Sequence, residues 1–319
     1  MKWIDIVHHV TSHADHVTVN ESALDRYVAD FRPISLDHWM KACPFEYRPL
    51  PRVEDEVARW FLSDAMAFCF WGYPAKWTTE YQGEKIDGWW GLLAAVQRAL
   101  ESGIPFTDSK YLANLTRTDA QRLFMGVPEI PLFDERVAAL RQIGSVLIND
   151  YAGHVHSFLA KAPRDATRLT LALASTFSTF NDTSPYKGKT IPFYKKAQLL
   201  VHDLSVGFSD TPYGAITGVD NLIGEADYKI PWQLHKLGIL IYDEELSHMI
   251  NARAPLPVDS AWEVEIRAGM LWAIHLIVEK LQERGVHTNA MTVDGILWVQ
   301  SQKKTARDEP YHLTLTTDY

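Results

Sequence analysis

Residues 226–233, Ala-Asp-Tyr-Lys-Ile-Pro-Trp-Gln, set one carboxylate, Asp227, ahead of a helix-forming run, with Tyr228 and Trp232 one turn apart. A carboxylate at that point can simply cap the helix that follows. It can also stand at the mouth of a cavity, with the two aromatic rings beside it. Upstream, Ile191-Pro192-Phe193-Tyr194-Lys195-Lys196-Ala197-Gln198 puts two lysines in the first turn of a helix. Cations are disfavoured there, next to the positive end of the helix dipole. A local rule broken in this way often marks function, and lysines combined with N-terminal amides suit a phosphate or a carboxylate. The plainer alternative is two solvated lysines. A third concentration of chemistry is Phe68-Cys69-Phe70-Trp71-Gly72, with Trp77, Trp89 and Trp90 close behind. On a helix Phe68, Phe70 and Trp71 point in different directions. Some of these rings are therefore expected to line a cavity, against the alternative of ordinary core packing.

His9, His13 and His16 fall at i, i+4 and i+7 and, with His8, offer a face that could bind a divalent metal. No HExxH arrangement accompanies them, and only Asp5 and Asp15 lie near, so the alternative is a solvated face of an N-terminal helix. The chain has no GxSxG elbow and no GxGxxG after a strand. Gly83 and Gly88 have P-loop separation but lack the Lys-Ser/Thr pair. The common nucleotide-cofactor folds lose their support, and no cofactor is expected.

The elements that must position these residues are mostly helical. Asn20 is expected to cap a helix through Ala23, Leu24, Tyr27, Val28 and Phe31. A second helix is predicted from Glu54 to Trp71 on the stripe Val57, Phe61, Ala65, Phe68, Trp71. A third follows Gly88, with Gly103 at its C-terminal end. Short helices are expected over 108–115 and 118–125, and longer ones from Pro131 to Tyr151 and after a cap at Asp165. The stretch 181–192 is rich in turn formers and reads as a loop; it leads into a helix from Phe193 to about Val206. Residues 226–251 read as a helix, a tight turn at Leu237-Gly238-Ile239, and a second helix capped by Asp243. The longest helix is expected from Asp259 to Arg284, another over 292–301, and the tail HLTLTTDY as an edge strand or an extended arm. With no repeat and no Pro/Gly/Ser linker, residues 1–319 are expected to form one mainly α body with few short strands; two lobes are the alternative.

Hydrophobic types make up 47% of the 319 residues and charged types 22%, as in ordinary folded chains. Lys plus Arg is 31 and Asp plus Glu 40, and 31 − 40 gives −9. That balance argues against a polynucleotide partner, which needs a basic footprint. The two cysteines, Cys43 and Cys69, cannot make a disulfide framework. With no signal-peptide core and no run of about 18 apolar residues, no membrane span is indicated and a cytoplasmic monomer is the expectation.

Several blocks, taken in order and spacing, resemble the queuosine salvage proteins, the queuosine 5′-phosphate N-glycosylases. They are SDAMAFCFWG (63–72), YQGEKIDGWWGLLAAVQRALESGIPFTDSKYLANLT (81–116), IPFYKKAQLLVHDL (191–204), ADYKIPWQLHKLGIL (226–240) and EVEIRAGMLWAIHLI (263–277). The resemblance implies a helical fold similar to helix-hairpin-helix DNA glycosylases, with the turn at Leu237-Gly238-Ile239 as the hairpin. It implies hydrolysis of the N-glycosidic bond of queuosine 5′-monophosphate, a small-molecule nucleotide, to release queuine, a 7-deazaguanine. Such a base lacks the N7 that ordinary purine hydrolases protonate. A carboxylate stabilising positive charge on the ribose is therefore the expected tool. The family Asp corresponds to Asp227 and its Lys to Lys195 or Lys196. Tyr228 and Trp232 then stack on the base or bond its edge, Phe70, Trp71 and Phe193 form pocket walls, and Asp64 and Asp203 bond the base or serve as structural hydrogen-bonding groups. His38 lies in the region of the family's N-terminal contacts. No metal is required. The competing readings are a base glycosylase acting on nucleic acid, a nucleobase-binding protein without catalysis, and a metalloenzyme built on the histidines.

Overall fold

The structure, a computed structural model, describes residues 3–32, 39–72, 75–303 and 309–319. The chain opens with α1 (Trp3–Thr11), a short strand β1 (Val17–Val19) and α2 (Glu21–Asp30). Next come α3 (Val53–Ala65), the hairpin β2 (Thr78–Tyr81) and β3 (Glu84–Asp87), and α4 (Gly88–Glu101). Five helices follow: α5 (Ser109–Ala113), α6 (Arg117–Leu123), α7 (Phe133–Asp150), α8 (Val155–Lys161) and α9 (Ala166–Thr176). A second hairpin, β4 (Thr183–Tyr186) and β5 (Lys189–Pro192), feeds α10 (Lys195–Gly207). The last elements are α11 (Lys229–Lys236), β6 (Leu240–Tyr242), α12 (Glu244–Asn251), α13 (Ala261–Glu283) and α14 (Ala290–Ser301). The mainly helical class expected from periodicity is what forms, and no described helix is long and apolar enough to cross a membrane.

The caps read from the sequence are in place. Asn20 Oδ1 accepts from the Ala23 N–H (3.3 Å), Asp165 Oδ1 from Arg168 (3.0 Å) and Asp243 Oδ1 from Leu246 (2.8 Å). Each satisfies a helix N–H that would otherwise lack a partner. The buried apolar side chains form two clusters. One gathers α3 to α10 around Phe61, Phe158, Phe177 and Phe180. The other gathers α1, α2 and α11 to α14 around the middle of α13.

Three expectations need correction. The second helix stops at Ala65 rather than Trp71, and residues 67–72 run without regular secondary structure, with Cys69 at φ 45°. Two buried cations cause this. Arg136 donates Nη1 to Met66 O (2.7 Å) and Nη2 to Phe68 O, while Lys196 Nζ approaches Ala65 O (3.5 Å). They take up the carbonyls at which another helical turn would have had to close. The stretch 181–192 is a hairpin, not a loop: its turn, Lys187-Gly188, has φ 42° and 82°, the left-handed pair that matches strand twist. Finally, the turn at Leu237-Gly238-Ile239 exists, with Gly238 at φ 71°, but it does not join two helices directly. The chain continues into β6, which pairs antiparallel with β1, Val17 opposite Tyr242 and Val19 opposite Leu240.

Buried carboxylates tie distant segments to this frame. Glu265 on α13 accepts the N–H groups of Asp15, His16 and Val17 and the Tyr186 hydroxyl. Near the carboxyl end His312, Leu313, Thr314 and Tyr319 are buried, with Leu313 bridged to Pro255 and Tyr319 O accepting from Cys69 N–H (2.7 Å).

Candidate active site

Lys195 and Lys196 open α10 after a left-handed Tyr194 (φ 48°). The turn is locked by Asp182, at the start of the β4–β5 hairpin. Its carbonyl accepts from Phe193 N–H (3.1 Å) and Tyr194 N–H (3.0 Å), and its Oδ2 from Lys195 N–H (3.0 Å). Neither lysine is solvated: Lys195 is 7% exposed and Lys196 fully buried. They part company there. Lys195 Nζ donates to Ala67 O (3.0 Å) and borders a cavity of about 400 Å³. Lys196 turns the other way, to Thr179 Oγ1 (2.8 Å) and Thr317 O (2.6 Å), over the ring of Phe68. Burial pushes the Lys196 ammonium down to about 7.

Asp227 stands on the same cavity just before α11. Its Oδ1 accepts from Lys229 N–H (2.9 Å) and Ile230 N–H (2.9 Å), so it does cap the helix. Its Oδ2 carries no hydrogen bond among the described residues. The capping and cavity readings of Asp227 therefore hold together: the cap fixes the carboxylate while one oxygen stays available. Burial raises its pKa, opposed by the Lys195 ammonium and by the amides of Ile230 and Lys229.

One buried ion pair positions both groups. Arg267, inside the apolar stripe of α13, donates Nη2 to Asp182 Oδ2 (2.6 Å) and Nε to Ala226 O (3.2 Å). Asp182 holds the Lys195 amide, and Ala226 immediately precedes Asp227. Arg267 thus clamps the two chain segments that present the lysine and the carboxylate. Glu263 Oε1 lies 3.4 Å from Nη1, and the rings of Phe193 and Tyr319 cover the guanidinium at 3.9 and 4.4 Å. Burial works against this charge, but Asp182 and Glu263 hold the guanidinium above its ordinary pKa.

The cavity wall carries further carboxyls. Asp203, Glu225 and Asp294 line it with Asp227, and Asp64 lies buried behind. Gly224 (φ 117°) brings Glu225 N–H to Asp294 Oδ2 (2.8 Å); a Cβ on Gly224 would sit 3.1 Å from that oxygen. Burial pushes Glu225 up to about 7 and raises Asp64, Asp203 and Asp294 well above ordinary carboxyls, with Lys195 opposing in every case. His202, also on the wall, is pushed down to about 4 by burial and presents a neutral imidazole at pH 7. Phe70, Trp89, Tyr228, Met291 and Trp298 supply apolar surface.

Of the residues singled out from the sequence, the fold thus brings Asp227, Lys195, Tyr228, Phe70 and Asp203 to one hollow. Phe70 gets there because 67–72 is not helical, so Phe68 and Phe70 need not follow helical directions. Trp232 does not line the hollow: its Nε1 donates to Glu309 O (2.7 Å). Trp71 donates to Thr314 O (3.2 Å), and Phe193 packs beneath Arg267. Asp64 sits behind the wall and Lys196 braces the chain end. His38 lies outside the described residues. The histidine face does not form, because α1 ends at Thr11 and His16 turns to Asp243 (2.7 Å), while His8 stacks on Trp272. Glu225, Asp294, His202 and Arg267 escaped the sequence reading; the signal for Arg267 was a charge within an apolar helical run.

Residues 48–319 match the family described as Queuosine salvage protein. A protein of Sphaerobacter thermophilus named Queuosine 5′-phosphate N-glycosylase/hydrolase is 43% identical over 256 residues, 80% of this chain and 79% of the relative. Proteins of the same name from Mus musculus and Dictyostelium discoideum are 32% and 27% identical, covering 83% and 97% of this chain and 82% and 96% of their own lengths. With the match spanning the hollow and every element around it, the chain belongs to the queuosine salvage protein family.

Proposed function

We propose that this hollow hydrolyses the N-glycosidic bond of queuosine 5′-monophosphate and releases queuine, with Asp227 as the group that meets the reacting sugar. One observation carries the reading: an enclosed carboxylate with Oδ1 fixed by two backbone amides and Oδ2 uncommitted, facing a cavity of about 400 Å³ whose buried ammonium is Lys195. That volume lies in the ordinary range for small-molecule sites.

The chemistry follows from the leaving group. The bond between C1′ and the base nitrogen breaks with its electron pair going to the base, and positive charge develops on the ribose. A 7-deazapurine offers no N7 to protonate, so the sugar needs more help from the protein. Asp227 Oδ2 supplies it, through space or by transient attack on C1′. Water then adds its oxygen to C1′; one of its protons is lost and the base nitrogen gains one, so atoms balance. At about 4 Å and an effective dielectric near 20, a charge pair of this kind contributes about 4 kcal/mol, roughly a thousandfold in rate. Because the cap pre-positions the carboxylate, little reorganisation is needed as the charge forms. Lys195 keeps Asp227 ionised in a setting that otherwise favours protonation. Glu225, pushed up to about 7, holds a proton near neutrality and is suited to exchange it. Phe70, Tyr228 and Trp298 offer faces on which a base can stack.

Incubation of the purified protein with queuosine 5′-monophosphate, followed by chromatography for the free base, tests the assignment. Stoichiometric conversion to queuine and ribose 5-phosphate is expected. An intact nucleotide after prolonged incubation with folded protein would refute it.

A further inference from the structure

Cleavage asks for one carboxylate, yet Asp203, Glu225 and Asp294 share the wall with Asp227, and Asp64 interacts with Asp203 and Glu225 from behind. Among the described residues, two ammonium groups border the same hollow, Lys195 and Lys229. Lys229 Nζ bonds Gln302 Oε1 (3.0 Å), and among these carboxyls its charge acts on Asp227. The remaining acids depend on Lys195. Asp203 is 5% exposed, and its Oδ2 has no hydrogen-bond partner. Asp294 is 2% exposed and commits Oδ2 to the Glu225 amide, leaving Oδ1 without a bond among the described residues. Buried carboxyl oxygens without partners are costly to keep. Both residues line the hollow, where a ligand can complete them, and a cation placed there favours the ionised form of acids that burial otherwise keeps protonated.

The substrate contains such a group. Queuine differs from plain 7-deazaguanine by an aminomethyl-linked cyclopentenediol at C7, whose secondary amine is protonated near neutrality. We infer that Asp203, Glu225 and Asp294 bind this ammonium group, making the acidic wall the feature that selects the substituted base. The inference rests on the nucleotide-site reading given above. A protonated amine brings two N–H donors and one positive charge, which unpaired carboxyl oxygens complement directly. The aromatic faces of the hollow leave the purine ring itself less strongly discriminated.

Equilibrium binding of queuine and of 7-deazaguanine, which shares the purine edge but lacks the amine, separates the possibilities. Wild-type protein is expected to prefer queuine by about tenfold or more. Asp203→Asn and Asp294→Asn should each cut that ratio by roughly threefold or more while 7-deazaguanine affinity stays within about twofold. Thermal melting checks that each variant is folded, and either variant alone suffices. Parallel loss of both ligands would mean that the wall reads the purine edge. An unchanged ratio in both variants, or no preference in the wild type, would mean that it does not read the amine. Any of these overturns the inference. Failure of the glycosidase reading looks different: queuosine 5′-monophosphate stays intact while the two bases still bind with the expected ratio.

Discussion

At Arg267 the buried guanidinium is matched: Nε, Nη1 and Nη2 each meet an oxygen, and two aromatic rings close over it. Around Lys195, one buried ammonium acts on five carboxyls, with Lys229 also acting on Asp227, and Asp64 and Asp203 keep oxygens with no partner. The two groups touch, since Asp182 bonds both Arg267 and the Lys195 amide. The difference separates what holds the fold from what awaits a ligand. The Arg267 guanidinium is paired at every nitrogen, although Asp182 Oδ1 keeps no partner; of the acids that line the hollow, Asp203 leaves Oδ2 incomplete.

Arg267→Ala should destabilise the protein by about 3–5 kcal/mol, read from denaturant unfolding, because it strands Asp182 without its cation. A loss below about 1 kcal/mol would place the matched centre on the wrong side of the contrast.

A smaller effect is expected at Lys195. Burial raises Asp227 and the Lys195 ammonium lowers it. Removing the cation in Lys195→Met lets the carboxylate pKa rise further, so activity is lost at a higher pH on the acid side. The acid limb of the pH–rate profile should move up by about one unit or more. An unmoved limb would separate Lys195 from Asp227.

Asp64 sharpens the contrast on the stability side. Its pKa is raised from 3.8 by burial first and by Asp203 next. The folded state therefore binds the proton more tightly than the unfolded state, so the associated stability is complete below about 3.8 and erodes as pH rises through the raised folded value. Asp64→Asn should stabilise the protein more at pH 8 than at pH 5, by about 1–2 kcal/mol, measured by thermal melting at both values. The smallest effect is predicted for Trp232→Phe, which removes a hydrogen bond to Glu309 away from the hollow. It should cost about 1 kcal/mol of stability and leave KM within about twofold.

Much of this was legible in the chain because it is local. Asn20, Asp165 and Asp243 cap helices through atoms three residues away, and Asp227 caps α11 in the same way. The order of the blocks around Lys195 and Asp227 pointed to the family. The features missed are those set by distant partners. The end of α3 at Ala65 depends on Arg136, 70 residues from the carbonyl it takes at Met66. The burial of Lys196 depends on the carbonyl of Thr317. Glu225 and Asp294 meet through a glycine whose backbone allows close approach. No period in the sequence announces such contacts. Trp232 shows the converse: one-turn spacing from Tyr228 suggested a shared face, yet Tyr228 borders the cavity while the Trp232 indole bonds Glu309.

The most direct test of the central claim is turnover of queuosine 5′-monophosphate by Asp227→Asn at saturating nucleotide. The asparagine side-chain oxygen can still cap α11, so the melting temperature should stay close to that of the wild type while kcat falls by roughly a thousandfold. A folded Asp227→Asn protein retaining turnover within about tenfold of the wild type would contradict the account.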